Sequence, residues 1–263
     1  MAQVISSGVS IVYDDLGQGE PALLFLPGWC TNRTVFTKLA PICGGQRRTL
    51  ALDWRGHGES GAPAEDFAID DLVEDALKVI EASGAQSIVP VALSHAGWVA
   101  IELQRRLGER VKKLVLLDWI IMMQPPREFF EALDGMQSPQ RWHETVERIF
   151  SVWLGNVDNA ALLRFVREEM GAYGFEMWAR AAREISAAYA DLGTPLQRLA
   201  ALDPPLPVLH LYAQPEEPRY LAAQQSFAAK HSWFTVLRLN ARSHFPMFEV
   251  PEAMASAIEQ FVG

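Results

Sequence analysis

Val91-Ala92-Leu93-Ser94-His95-Ala96-Gly97-Trp98 decides the reading of the fold. An apolar run from Ser87 to Leu93 enters this stretch, and Val99 to Leu107 leaves it at helical spacing. Strand, sharp turn and helix in that order, with small residues flanking the serine, suit a nucleophile elbow. Small side chains let the backbone double back there and lift the serine Oγ above a sheet. The default chemistry of an elbow is nucleophilic catalysis by the serine; the plainer reading of a serine in a strand–helix turn is a helix N-cap.

Working outward, the same rhythm repeats. Val4 to Tyr13 alternates apolar and polar residues around Gly8 and predicts an opening strand pair, closed by the turn residues Asp14-Asp15-Leu16-Gly17. Ala22 to Leu26 is wholly apolar and ends at Pro27-Gly28-Trp29-Cys30, and a helix is expected from about Asn32 to Ala40. Thr49 to Leu52 is the next strand, followed by Trp54-Arg55-Gly56-His57-Gly58. Asp70 to Ala82 has the apolar spacing of an amphipathic helix, and its acids, Asp70, Asp71, Glu74 and Asp75, read as a solvated face near the positive helix end. Lys113 to Leu117 is a fourth apolar strand, ending at Asp118-Trp119.

Apolar strands alternating with helices indicate a parallel sheet covered on both faces. From Pro125 to about Ala200 no strand-like run occurs; Pro207 to Tyr212 and Phe234 to Leu239 restore the strand rhythm, and Pro251 to Phe261 is a closing helix. The expected architecture is therefore α/β, of the α/β-hydrolase type: a mostly parallel, doubly wound core over residues 1–120 and 201–263, with a helical cap over 121–200.

Bulk properties narrow the setting. A net charge of -9 with no basic cluster argues against a nucleic-acid surface. Two cysteines in 263 residues, Cys30 and Cys43, cannot form a disulfide framework and suit a reducing cytoplasm. Met1-Ala2-Gln3-Val4 has no signal-peptide character, and no apolar run approaches the roughly 20 residues of a membrane span. A soluble cytoplasmic globule, with neither nucleic acid nor membrane as partner, is the expectation.

Ligands of open α/β sheets sit beyond the carboxyl ends of the strands, and four groups fall there. Ser94 is at the elbow; Trp29, after the first core strand, offers a backbone N–H that pairs with that of His95 in an oxyanion hole. Asp118 ends the fourth strand, and His244 follows the last strand, giving the order Ser, Asp, His. Glu216, in Ala213-Gln214-Pro215-Glu216-Glu217-Pro218, is an alternative acid, but Asp118 lies beside the elbow strand and is better placed. His57 reads as shaping its loop, His210 as a satisfied core or edge histidine, and His143 and His231 as surface residues. Trp142, Trp153 and Trp178 read as cap core, one or two of them lining a pocket. No metal-ligand spacing appears.

Several of these segments together resemble one small family. They are Leu26-Pro27-Gly28-Trp29-Cys30, Trp54-Arg55-Gly56-His57-Gly58, Ser94-His95-Ala96-Gly97-Trp98, Asp118-Trp119, Phe150-Ser151-Val152-Trp153, Gln214-Pro215-Glu216-Glu217-Pro218 and Ser243-His244-Phe245-Pro246 with Glu249-Val250-Pro251. The chain is similar over nearly its whole length to the cofactor-independent 2,4-dioxygenases of 3-hydroxy-4(1H)-quinolones. Ser-His-x-Gly-Trp, Asp-Trp and Gln-Pro-x-Glu-Pro carry the specificity of the match; Pro-Gly-Trp and Arg-Gly-His-Gly occur widely in the fold.

The resemblance implies cleavage of the N-heteroaromatic ring with O2, releasing CO and an N-acylanthranilate, without metal or organic cofactor. It implies His244 as general base, Asp118 orienting its imidazole, Ser94 as a hydrogen-bonding post rather than a nucleophile, Trp29 and His95 N–H on the C4 oxygen, and Trp153 on the ring pocket. Leu93 and Thr31 stand where the quinaldine-type pattern has histidines, which makes the site less polar. With a Met- and aromatic-rich cap, that favours a 2-alkyl quinolone of the quorum-signal type over the methyl-bearing quinaldine. A serine hydrolase using a Ser94-His244-Asp118 triad, and a catalytically silent binding protein, are the competing readings.

Overall fold

The computed structural model describes residues 1–263. Eight strands form one sheet: β1 (Ala2–Ser6), β2 (Val9–Leu16), β3 (Ala22–Leu26), β4 (Thr49–Leu52), β5 (Ile88–Leu93), β6 (Leu114–Leu117), β7 (Val208–Tyr212) and β8 (Phe234–Arg238). Their spatial order is β1-β2-β4-β3-β5-β6-β7-β8; β1 and β2 are antiparallel, and β4 onward runs parallel. The five strands β3 to β7 are buried at every position, as unbroken apolar runs require in a sheet covered on both faces. The covering helices are α1 (Leu39–Gly44), α2 (Ile69–Ser83), α3 (Ala96–Leu107), α9 (Pro218–Ala228) and α10 (Pro251–Val262).

Register places the site. Leu26 pairs with Ala92, Leu93 with Leu117, and Leu117 with Leu211, so the carboxyl ends of β3, β5, β6 and β7 come out level. Trp29, Ser94, Asp118 and Ala213 follow at one edge. Between β6 and β7 the chain makes only helices: α4 (Arg127–Met136), α5 (Trp142–Leu154), α6 (Ala160–Arg164), a π-helical turn Phe165–Glu169, α7 (Phe175–Leu192) and α8 (Pro195–Ala200). Among the contacts that tie this insertion to loops of the sheet are two from the turns between α6 and α7. Glu169 Oε2 accepts from Asn32 Nδ2 at 2.8 Å, and the Tyr173 hydroxyl accepts the Gly58 N–H at 3.1 Å.

Two expectations need correction, and one element lies outside them. The helix expected from Asn32 to Ala40 is a 3-10 turn, Arg33–Phe36, capped by Asn32, with α1 starting only at Leu39. Thr34, Val35 and Thr37 are β-branched and poor helix formers, and Thr37 Oγ1 bonds back to Thr34 O. The acids of α2 are not all solvated. Asp75 is completely buried and grips Arg55, Oδ1 to Nη2 at 2.6 Å and Oδ2 to Nε at 2.9 Å, because the loop after β4 folds back across α2. Finally, α9 was not expected, although Pro218 at its first turn is a recognised start signal.

Candidate active site

Two of the four non-glycine residues with positive φ directly follow strands and line one cavity, Ser94 (53°) and Asp118 (45°), and a third, Cys30 (55°), is in the loop after β3. Left-handed backbone is unfavourable for side-chain-bearing residues and persists where surrounding structure enforces it. At Ser94 the enforcement is visible. Its N–H donates to Leu117 O at 2.8 Å, and its carbonyl accepts from Gly97 N–H at 3.0 Å as α3 begins. The helix cap is His95, with no side-chain cap bond, so Ser94 is an elbow residue and not an N-cap.

The structure brings Asp118 and His244 together. His244 Nδ1 donates to Asp118 Oδ1 at 3.0 Å, which leaves Nε2 without a protein partner. Asp118 is buried, and its Oδ2 accepts the backbone N–H groups of Ala213 at 2.6 Å and Gln214 at 3.3 Å. The carboxylate is thus held on one oxygen by the end of β7 and offers the other to the imidazole. Glu216, the alternative acid, is exposed and its nearest cation is Arg238 at 3.9 Å. The His244 backbone is fixed as well. Its N–H donates to Trp153 O at 2.7 Å, its ring stacks on the Trp153 indole at 5.0 Å and 20°, and Glu249 accepts from Ser243 N–H at 2.9 Å.

The loops after β3 and β5 touch; a Cβ added to Gly28 would lie 3.5 Å from Leu93 O and 3.8 Å from Ser94 Cβ. The N–H groups of Trp29 and His95, on these two loops, have no backbone or side-chain acceptor. The next amide is occupied: Cys30 N–H donates to His57 Nε2 at 3.2 Å, while His57 Nδ1 donates to Arg55 O at 2.9 Å. That pattern fixes one tautomer, and burial holds the His57 pKa down at about 4. His57 does shape its loop as expected.

These groups line a cavity of about 680 Å³ reaching from the sheet edge under α4, α5 and α7. Ser94, His95, Asp118, Trp29, Trp153 and His244 all face it. Its far walls are mostly apolar, formed by Phe129, Leu133, Met136, Ile149, Trp178, Ala181 and Ile185, with Tyr189 beside them. Leu93 and Thr31 line it too, and the Thr31 hydroxyl is turned inward onto Gly28 O at 2.8 Å. His95 packs among Trp119, Phe129 and Tyr189; burial, with the charge of His244, pushes its pKa down to about 3. Its ring is therefore neutral.

The plainer readings divide. Trp153 and Trp178 line the cavity, and Trp142 packs against the core without doing so. His210 is a core residue but only half satisfied, with Nδ1 on Gln224 Oε1 at 2.6 Å and Nε2 unpartnered. His143 is exposed as expected, whereas His231 is half-covered, stacking on Phe227 at 4.0 Å. Sequence reasoning gave Gln214 and Glu249 no individual task, although both stand in the family-specific motifs. Asp53, which opens the segment closing β4, has no task legible in the sequence. It is fully buried and accepts from Arg33 and from the Glu59 N–H, so it organises the neighbouring loop. No cluster of three or more His, Cys, Asp or Glu side chains is assembled for a metal ion, and no helix is long and apolar enough to cross a membrane.

An elbow serine, a strand-end carboxylate and a late histidine above this sheet define an α/β-hydrolase-type protein. The sequence model of the alpha/beta hydrolase family matches residues 23–257. The chain is 38% identical to a 2-heptyl-3-hydroxy-4(1H)-quinolone dioxygenase of Mycobacteroides abscessus, over 98% of this chain and 96% of that protein. It is 36% identical to a 1H-3-hydroxy-4-oxoquinoline 2,4-dioxygenase of Pseudomonas putida, over 97% of each. It superposes with a TM-score of 0.94 on a solved AqdC variant in complex with its substrate, described in terms of recognition and ring-cleavage of the Pseudomonas quinolone signal. That pair is 36% identical over 99% of this chain and 98% of the other. The chain belongs to the α/β-hydrolase family and, within it, to the 3-hydroxy-4-quinolone 2,4-dioxygenases.

Proposed function

We propose that this protein cleaves the heteroaromatic ring of a 2-alkyl-3-hydroxy-4(1H)-quinolone with O2, giving CO and an N-acylanthranilate. The observation that carries the reading is the His244–Asp118 hydrogen bond at the floor of a large cavity with apolar far walls. Its volume lies in the range of small-molecule sites and has room for a bicyclic ring plus a chain. The inserted helices 121–200 act as the cap that supplies those walls. The two free, buried cysteines fit a cytoplasmic setting.

In the reaction His244 Nε2 takes the 3-hydroxyl proton, and Asp118 holds the imidazole in the Nδ1–H tautomer and stabilises its cation. Ground-state O2 is a triplet and reacts poorly with closed-shell molecules. The electron-rich quinolone anion passes one electron to O2, and the resulting radical pair combines at C2. The peroxide attacks C4, the O–O bond and both bonds to C3 break, and C3 leaves as CO. One oxygen atom ends in the amide and the other in the carboxylate. The unpartnered Trp29 and His95 N–H groups hold the C4 oxygen as its negative charge grows. Ser94 donates a hydrogen bond to the bound ring, and Trp153 forms its wall.

A serine hydrolase reading would need the base on the serine. No hydrogen bond joins Ser94 Oγ to His244, which favours the dioxygenase. The test is incubation with 2-heptyl- and 2-methyl-3-hydroxy-4(1H)-quinolone after metal chelation. Equimolar O2 uptake and CO release are expected, faster with the heptyl compound; absence of both rejects the proposal.

A further inference from the structure

The Trp153–His244 stack is assembled from two separate pieces of chain, the end of α5 and the loop after β8. One side chain joins them. Gln214 Nε2 donates to Val152 O at 3.1 Å and to Arg242 O at 2.7 Å, the residues one before Trp153 and two before His244. Gln214 also gives its backbone N–H to Asp118 Oδ2 at 3.3 Å. The two bridged backbones are close nearby: a Cβ added to Gly155 would lie 3.3 Å from Arg242 O. The primary amide places two N–H donors on one nitrogen without charge, whereas a carboxylate has none to give.

We propose that Gln214 is a positioning residue for the base. Its amide clamps the backbone on either side of the stack, so that the Trp153 wall and the His244 ring keep one register. Its backbone N–H meanwhile holds the carboxylate that aims the ring. The inference rests on the reading of His244 as base given above. It assigns to the glutamine of Gln214-Pro215-Glu216-Glu217-Pro218 a task besides lining the cavity, and one that core packing does not explain, since Gln214 is half-exposed.

The test separates the two claims. A 3-hydroxyquinolone is bound without O2, and the fraction held as the anion is read from its absorbance, together with its Kd. Wild-type enzyme is expected to hold mostly anion. Gln214→Met keeps the shape and removes both donors. It is expected to change Kd by less than about threefold while kcat falls about tenfold to a hundredfold and the anion fraction drops. Gln214→Lys, with N–H donors at similar reach, is expected to restore most of both. Should Gln214→Met not fold, Gln214→Glu takes its place, with the same loss expected. Wild-type anion fraction and kcat in the donor-less variant would overturn the clamp and leave the base intact. Equal losses in the Met and Lys variants also overturn it. A wild-type enzyme that binds quinolone without forming anion overturns the base reading, and with it this inference.

Discussion

The Trp119 indole lies directly against the α-carbon of Gly97: a Cβ built there would fall 2.1 Å from Cζ3 and 2.3 Å from Cε3. This contact joins the first turn of α3, which carries His95, to the residue after Asp118. It explains why Ser-His-x-Gly-Trp and Asp-Trp belong together in one sequence. Trp98 packs edge-on to the same indole at 5.0 Å, completing the joint. Gly97→Ala should therefore displace Trp119 and is expected to destabilise by about 1–3 kcal/mol, the usual range for overpacking. Because His95 and Trp119 both line the cavity, KM should rise as well. A calorimetric scan with unchanged Tm would show that the ring has room to move.

Ser94→Ala and His244→Ala separate a post from a base. Ser94→Ala removes one hydrogen bond to the substrate and is expected to leave a substantial fraction of turnover. His244→Ala removes proton transfer, which typically contributes about 10²–10⁴-fold, while the quinolone still binds. Steady-state O2 consumption and equilibrium binding measure both. Near-total loss in Ser94→Ala would return the serine to a covalent role.

Much of the sheet was readable because apolar runs such as Ala22 to Leu26 and Leu114 to Leu117 have few other places to go than a covered parallel sheet. Ser94, Asp118 and His244 were readable because strand ends and chain order place them. The remainder depended on contacts distant in sequence. Nothing local in Asp70 to Ala82 says that Arg55 will lie across Asp75, and periodicity assigned that acid to water. Gln214 is marked in sequence only by the motif it opens; its task is not legible there, because its two acceptors, Val152 O and Arg242 O, are backbone atoms and backbone carries no sequence signal.

The Arg55–Asp75 pair gives a stability prediction. Asp75 is completely buried, and Arg55 is nearly so. Asp75→Asn removes the buried negative charge and leaves Asp71, at 2.9 Å from Nη1, as the one remaining carboxylate on the guanidinium. Breaking one side of a buried pair typically costs about 3–5 kcal/mol. The chemical midpoint in urea should fall accordingly, with kcat unchanged where the protein remains folded. A midpoint within error of wild type would show that Asp71 alone suffices.

Acid should destabilise the fold through three histidines. Burial pushes His57 and His210 down to about 4 and His95 to about 3, from an ordinary value of 6.5. Below pH 6.5 the unfolded chain takes up protons that the folded chain refuses. Their contribution is thus fully present above pH 6.5 and is lost as pH falls toward 4. Tm should drop steadily across that window, and the slope should flatten in a His57→Gln variant, which keeps an amide acceptor for Cys30. A flat Tm between pH 7 and 5 would mean that these rings protonate without unfolding.

Chain-length preference tests the apolar end of the cavity. Ala181, on α7, lines the wall contributed by the inserted helices, beside Trp178 and Ile185. Each methylene moved from water into such a wall is worth about 0.8 kcal/mol, or roughly a fourfold gain in kcat/KM. Wild-type kcat/KM should therefore climb from the 2-methyl compound toward the 2-heptyl one and level off when the wall is reached. Ala181→Phe fills that end. It should cut kcat/KM for the heptyl quinolone by about tenfold or more, leave the methyl compound within about twofold, and move the plateau to shorter chains. If both substrates lose equally, the added ring disturbs the site itself, and the alkyl chain lies elsewhere in the cavity.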